Sequence, residues 1–349
     1  MASSVQVQHL SSDAEVTSLV CGSETCGLLA GDTRGRLHFY KPQPFSHWLS
    51  FVSHLTFFDR DSSGAESEHV AAVQFVSEYQ RAFTCLSANE KTIKLWSVGQ
   101  QDGKHRLRLS FPSVHDFHIH SLSVHPTRDQ FLACDDLSLT LWHFDHPATS
   151  FSLANLKPQR IEDLQEVLLF AAFHPLHPSL VVYSSTAGSV RIADLRLRAQ
   201  AFPPALELRS HKSGTHLDLL ASVSGLAFSS NEHVLFAREI RSVATWDCRY
   251  PTEPIGSTLI LQNERRLLAR GDTPKFQIAG VGESGWVTGG MDGNLVISRE
   301  FNQTEEVDLS LGQAYVPFVV SDRRSSQLFV AGKGQIVALC EDIRNALST

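Results

Sequence analysis

The sequence predicts an all-β chain that closes into a ring of seven four-stranded blades, a seven-bladed β-propeller. Three observations carry that expectation. A short alternating strand that follows a small or polar turn recurs seven times. The copies begin at residues 35, 91, 137, 188, 241, 293 and 334, so neighbours lie 41 to 56 residues apart. That interval suits four short strands and their connections. Finally, an alternating segment near the N-terminus is spare and is placed to complete the last blade.

The clearest copy is residues 131–145. Leu137, Leu139 and Leu141 alternate with Ser138, Thr140 and Trp142 after a polar turn at Asp135 and Asp136. A period of two puts one set of side chains in a core and the other on the opposite face. The other copies are Gly35–Tyr40, Lys91–Trp96, Gly188–Ala193, Arg241–Trp246, Gly293–Ser298 and Gly334–Leu339.

Supporting strands precede each copy. They are Val16–Val20 and Gly27–Ala30, then Val70–Phe75 and Ala82–Leu86, then Ile119–Val124. Leu169–Phe173 with Leu180–Tyr183 serves the fourth copy and Val223–Phe228 the fifth. Phe276–Gly280 with Gly285–Thr288 serves the sixth, and Pro317–Val320 with Gln327–Val330 the seventh. His125-Pro126 and His174-Pro175 each end a strand, because proline cannot continue a hydrogen-bonded ladder. The residues after Leu339 are poor strand formers, whereas Val5–His9 alternates and is expected to become the last blade's outer strand. The whole of 1–349 then forms one domain. Three segments exceed the minimum repeat: Pro42–Glu68, expected as a link with a polar loop from Asp59, Phe151–Glu166, and Pro203–Leu220. Ile161 and Leu164, three apart, fit one face of a short helical turn.

Composition narrows the function. Hydrophobic residues make up 42 % and charged residues 19 % of 349, enough for a large core and unlike a disordered chain. A net charge of -7 argues against a general nucleic-acid binder. Cys21, Cys26, Cys85, Cys134, Cys248 and Cys340 are expected as free thiols, since the first two lack a second pair to complete a zinc site. The opening residues lack a basic stretch and an apolar run, and no window is apolar enough for a spanning helix. The expectation is a soluble protein of the cytoplasm, with the nucleus as a second compartment and no membrane partner.

The middle of the chain resembles a known family. Asn89–Trp96, His118–Ser123, Cys134–His143, Leu156–Pro158, Glu162–Val167, Ala171–Pro175, Val182–Thr186 and Asp194–Arg196 occur in the order and at the intervals of the B-family WD-repeat regulatory subunit of protein phosphatase 2A. The likeness runs from about residue 14 to Pro254. It implies a WD-type propeller without catalytic residues that joins a scaffold and a catalytic subunit. It also implies that an acidic groove on one face receives basic stretches of phosphorylated clients. By the same resemblance, Asp135, Asp136 and Glu90 fall on turns of that face. His118 follows the position of a family tyrosine, here Phe117. Glu162, Asp163 and Glu166 match an acidic segment, and Arg238 matches a fifth-blade arginine. Phe117, Ile161 and Leu164 are expected as apolar anchors. Family members grip the scaffold with a long hairpin; here only Ser97–Phe117 is available, with a tight turn at 99–103 and space for a short strand over 104–111.

Other chemistries fit less well. Adjacent Asp135 and Asp136 suit turn hydrogen bonds better than a catalytic pair held across a substrate. His115, His118, His120 and His125 lack further ligands at metal-binding intervals. Residues 31–35 and 289–293 lack the Lys-Ser or Lys-Thr of a phosphate loop. No catalytic residue, cofactor or metal is expected. The leading function is client recruitment to protein phosphatase 2A. Its alternative is a WD-repeat adaptor that no longer associates with the phosphatase.

Overall fold

The computed structural model describes residues 5–9, 14–22, 27–42, 45–57, 65–79, 82–112, 115–197, 204–209, 221–260, 275–290, 293–300, 303–308, 316, 318–321, 328–332 and 335–339. The first strand is β1 (Val5–His9). Blade one follows as β2 (Val16–Cys21), β3 (Leu28–Asp32), β4 (Arg36–Pro42) and β5 (Phe45–Val52). A two-stranded ribbon, β6 (Leu55–Phe57) and β7 (Ala65–Ser67), precedes blade two, which comprises β8 (Ala72–Tyr79), β9 (Ala82–Ala88), β10 (Ile93–Gly99) and β11 (His105–Phe111). Blade three is β12 (Ser121–Val124), β13 (Gln130–Cys134), β14 (Ser138–His143) and β15 (Ser150–Asn155). Blade four is β16 (Leu168–Phe173), β17 (Leu180–Ser185), β18 (Ser189–Asp194) and β19 (Leu206–Arg209). Blade five is β20 (Val223–Phe228), β21 (Val234–Glu239), β22 (Ser242–Asp247) and β23 (Gly256–Leu259). Blade six is β24 (Ile278–Val281), β25 (Gly285–Gly289), β26 (Asn294–Glu300) and β27 (Gln303–Asp308). Blade seven joins β28 (Phe318–Ser321), β29 (Leu328–Gly332) and β30 (Gln335–Leu339) to β1, which lies antiparallel on β30 with Val7 opposite Val337.

The chain is thus an all-β, seven-bladed propeller. Its seven repeated strands are β4, β10, β14, β18, β22, β26 and β30, the third of each blade. Second strands such as β3 and β21 are buried along their whole length, because neighbouring blades cover both faces. Among the described residues, seven apolar clusters fill the spaces between adjacent blades, one of them joining Phe329 and Ile336 of blade seven to Leu19 and Tyr40 of blade one. Between blades two and three, Phe111 meets the Trp142 ring edge-on at 5.4 Å between centroids, and Phe131 stacks on Trp142 at 6.2 Å. Such aromatic pairs add about 0.5–1.5 kcal/mol beyond the area they bury.

The three segments expected to exceed the repeat contain its missing outer strands. β5, β15 and β19 occupy 45–52, 150–155 and 206–209, and β7 occupies part of the expected polar loop. Outer strands pack against fewer neighbours, so their sequences are polar: β11 is HRLRLSF and β27 is QTEEVD. The short strand for which the sequence leaves space after residue 104 is β11. It forms the ordinary outer strand of blade two, joined to β10 through a tight turn in which the Gly99 N–H donates to the Lys104 carbonyl at 2.9 Å. Residues 210–220 and 261–274 lie outside the described residues, as do Cys26 and Cys340. Cys85 and Cys134 are buried, Cys21 and Cys248 are partly buried, and no disulfide joins any two of these four. Among the described residues, no helix is long and apolar enough to cross a membrane.

Antiparallel pairing within every blade fixes which loops share a face. Each first strand begins at the end where the preceding outer strand finished, and the second-to-third-strand turn returns to that same end. The inner strands β2, β8, β12, β16, β20, β24 and β28 neighbour one another in that order around the ring. They enclose a central channel of about 760 Å³.

Candidate functional site

Topology gathers the sequence-derived residues on one face. Glu90, Asp135 and Asp136 sit in second-to-third-strand turns; Phe117, His118 and residues 161–166 sit in loops that enter an inner strand; Arg238 is near the end of β21. The 156–168 segment is pinned to the aspartate turn at both ends. The Leu156 N–H donates to the Leu137 carbonyl at 2.7 Å, and the Leu168 N–H donates to the Asp136 carbonyl at 2.8 Å. Between these anchors Ile161–Asp163 forms one turn of 3-10 helix with no buried residue. Ile161 is 83 % exposed and Leu164 38 %. Glu162 and Asp163 are also exposed, and neither forms an ion pair with a basic side chain among the described residues. A loop of this kind, held at its base and apolar at its tip, presents charge without a core to consume it.

The two adjacent aspartates have different jobs. Asp135 is 2 % exposed, and its carboxylate accepts from Leu137 N at 2.8 Å, Ser138 N at 2.5 Å, Ser138 Oγ at 2.6 Å and His115 Nδ1 at 2.7 Å. Burial alone would raise its pKa, but the His115 and Ser138 hydrogen bonds outweigh it and hold the group below the ordinary carboxylate value. His115 also meets Thr140 Oγ1, which accepts from Trp142 Nε1 at 3.1 Å, so the turn is tied into the Trp142 core. Blade two repeats the arrangement: His54 Nε2 lies 3.0 Å from Ser87 Oγ, which accepts from Trp96 Nε1 at 3.1 Å. The Asp135 oxygens are thus enclosed by their own turn and by His115.

Asp136 is half-buried and touches His120, which lines the channel. His120 Nε2 lies 2.6 Å from its Oδ1, and Lys275 Nζ lies 2.6 Å from His120 Nδ1. An ammonium group only donates, so Nδ1 accepts and the Nε2–H of a neutral imidazole donates to Asp136. Burial lowers the His120 pKa, the Asp136 hydrogen bond opposes that, and the Lys275 charge lowers it further. For Asp136, burial acts upward but the His120 hydrogen bond wins, leaving the carboxyl below its usual range. His118 and Glu90 form a looser exposed pair at 3.5 Å beside this chain of contacts, and Phe117 is half-buried next to them.

Glu166 and Arg238, also expected at the partner surface, are both held by groups of the chain itself. Glu166 is engaged by Arg191 Nη2 at 2.7 Å and by Ser185 Oγ at 2.6 Å. Arg238 is fully buried. Its Nη1 donates to the Ile240 carbonyl at 2.9 Å and its Nε to Thr288 Oγ1 at 3.2 Å, while its guanidinium lies 4.4 Å from the Phe276 ring centre. Burial pulls its pKa down to about 9, which keeps the group charged at neutral pH. Sequence reasoning missed Lys275 and His120's link to it; 155 residues separate them, and no local pattern signals such a contact. Among the described residues, no grouping of three or more His, Cys, Asp or Glu could hold a metal ion.

A scan against protein-family models finds no match. Individual proteins do match. One is the mouse (Mus musculus) gamma isoform of the 55 kDa B-type regulatory subunit of serine/threonine-protein phosphatase 2A. The chain is 27 % identical to it over 355 aligned positions, covering 86 % of this chain and 79 % of the relative. It is 29 % identical to the beta isoform of the same 55 kDa regulatory subunit from pig (Sus scrofa), over 70 % of this chain and 66 % of that one. It is 26 % identical to the Drosophila melanogaster protein phosphatase PP2A 55 kDa regulatory subunit, over 70 % of this chain but only 59 % of the relative's length. The chain is homologous to the B-family regulatory subunits of protein phosphatase 2A.

Proposed function

We propose that the chain is a regulatory, client-recruiting subunit of a serine/threonine protein phosphatase 2A complex. It binds basic segments of phosphorylated clients on the face that carries Asp136, Glu162 and Asp163. The carrying observation is the exposed turn Ile161–Asp163, whose loop is anchored at both ends to the Asp135–Leu137 turn. Carboxylates from loops in one place steer Lys/Arg-rich segments and orient them. Single exposed pairs contribute only about 0–1 kcal/mol, so the acids act as a group with Ile161, Leu164 and Phe117 as apolar anchors. Glu90 and His118 extend the surface toward the channel, while Asp135, Glu166 and Arg238 hold it in shape from beneath.

The chain itself is non-enzymatic, consistent with its homology to regulatory subunits. Its contribution is to hold a phosphorylated residue near a separate catalytic subunit, raising effective concentration. The ring is read as one WD-type domain closed by its N-terminal strand. The β1–β30 pairing and the Trp–hydroxyl–histidine networks of blades two and three support that reading. We place the protein in the cytoplasm, with the nucleus as a second compartment, and assign it neither nucleic-acid nor membrane partners.

The tight Gly99–Lys104 turn favours a second reading, a propeller adaptor without the phosphatase, because blade two extends no long arm there for a scaffold subunit. Affinity purification of the tagged protein from its own cells separates the two. Stoichiometric recovery of phosphatase scaffold and catalytic chains supports recruitment. Recovery of other assemblies without them supports the adaptor.

A further inference from the structure

The lysine in the channel mouth comes from the far side of the ring. Lys275 enters β24 of blade six, whereas His120 enters β12 of blade three. Going round the inner strands, these are three steps apart on a ring of seven, as distant as the ring allows. Lys275 and His120 both line the channel, so their 2.6 Å contact crosses it. Lys275 is exposed on the channel wall. Desolvation by the surrounding protein lowers its pKa, with the Asp136 charge opposing the shift.

The lysine is held out by a built support. Its neighbour Phe276 is fully buried against the Arg238 guanidinium. The Phe276 N–H donates to Ser224 Oγ at 3.0 Å, and the Gln277 carbonyl accepts from Thr288 Oγ1 at 2.8 Å. Thr288 in turn accepts from Arg238 Nε. Backbone on the C-terminal side of Lys275 is therefore clamped from two sides, and the side chain is directed across the opening.

We propose that Lys275 is an internal stand-in for a client's basic side chain. It spends the charge of Asp136 through His120, and a Lys- or Arg-rich client must displace it to use that carboxylate. This rests on the client-binding reading given above and adds a threshold to it. A weakly basic segment leaves the strap in place. A segment with several basic residues, anchored also on Glu162 and Asp163, releases it and gains Asp136.

The test uses the full chain and a fluorescein-labelled peptide of three Lys-Ala-Arg-Ser repeats, followed by fluorescence anisotropy at low salt. Wild type is compared with Lys275→Met, Asp136→Asn and the double variant. Lys275→Met should bind about two- to fivefold more tightly, the range of an exposed ion pair. Asp136→Asn should bind more weakly, and the double variant should lose the gain. If Asp136→Asn weakens binding but Lys275→Met does not tighten it, the strap proposal is overturned and the acidic surface stands. If Asp136→Asn leaves binding unchanged, Asp136 is not a client site and both fail at this residue. NMR titration of His120 gives an independent measure, using Lys275→Gln should the methionine variant fail to fold. Removing the lysine charge should raise the His120 pKa; an unchanged value would overturn the contact on which the strap depends.

Discussion

Replacing Asp135 by alanine isolates the part of the aspartate turn that maintains the fold. The substitution removes one acceptor that serves two backbone N–H groups, the Ser138 hydroxyl and His115 Nδ1, all within 2.8 Å. A hydrogen bond to a charged group contributes about 1.5–3 kcal/mol, and four that share one carboxylate do not simply add. Breaking a buried charged network by removing one partner costs about 3–5 kcal/mol. At about 2.1 cal/mol/K per residue of unfolding entropy, a chain of 349 residues melting as one unit loses about 4–7 °C. Asp136→Ala, which removes a half-buried carboxylate with a single hydrogen bond to His120, should lower the midpoint less, by at most about 2–4 °C. Differential scanning calorimetry of both variants at pH 7 reads the contrast. The acid limb supplies a second check. The folded Asp135 pKa lies below its unfolded value of about 3.9, so its stabilisation is complete above that value and disappears as pH falls through the folded pKa. Equal midpoints for wild type and Asp135→Ala would refute the assignment of the first aspartate to the fold.

Burial, followed by the Lys94 charge, lowers the His54 pKa to about 3, so the unfolded chain takes up the extra proton below about pH 6.5. Stability therefore falls as pH drops from about 6.5 toward 3, and His54→Asn should flatten that part of the profile; parallel slopes in urea titrations would contradict it. Trp142→Ala empties the centre of the blade two–three cluster and should cost about 3–5 kcal/mol, read as a lowered denaturant midpoint. Ile161→Ser and Leu164→Ser alter exposed side chains without changing charge, so stability should change by less than about 0.5 kcal/mol while affinity for basic phosphopeptides falls. Unchanged affinity in both would remove them from the client surface.

The repeat was legible because third strands lie between blades and must alternate or run apolar; Leu137–Trp142 and Arg241–Trp246 show this directly in sequence. Outer strands were harder to read. β15 (Ser150–Asn155) and β19 (Leu206–Arg209) have one exposed face and bury few residues, so their sequences resemble loops. The candidate face was readable to the level of loops, since strand alternation decides which turns share an end. Which aspartate faces solvent was not, because Asp135 and Asp136 are chemically identical and only the position of His115 and His120 separates them. Arg238 shows the same limit: its type suggests a surface contact, while Phe276 and Thr288, distant in sequence, enclose it.

The most direct measurement combines the purified chain with purified phosphatase 2A scaffold and catalytic subunits and a basic phosphothreonine peptide. If the chain recruits clients, it co-elutes with both subunits and accelerates phosphate release from that peptide. Replacing Asp136, Glu162 and Asp163 together by alanine then removes the acceleration without dissolving the complex. Failure to co-elute, or acceleration that survives the triple replacement, contradicts recruitment through this face.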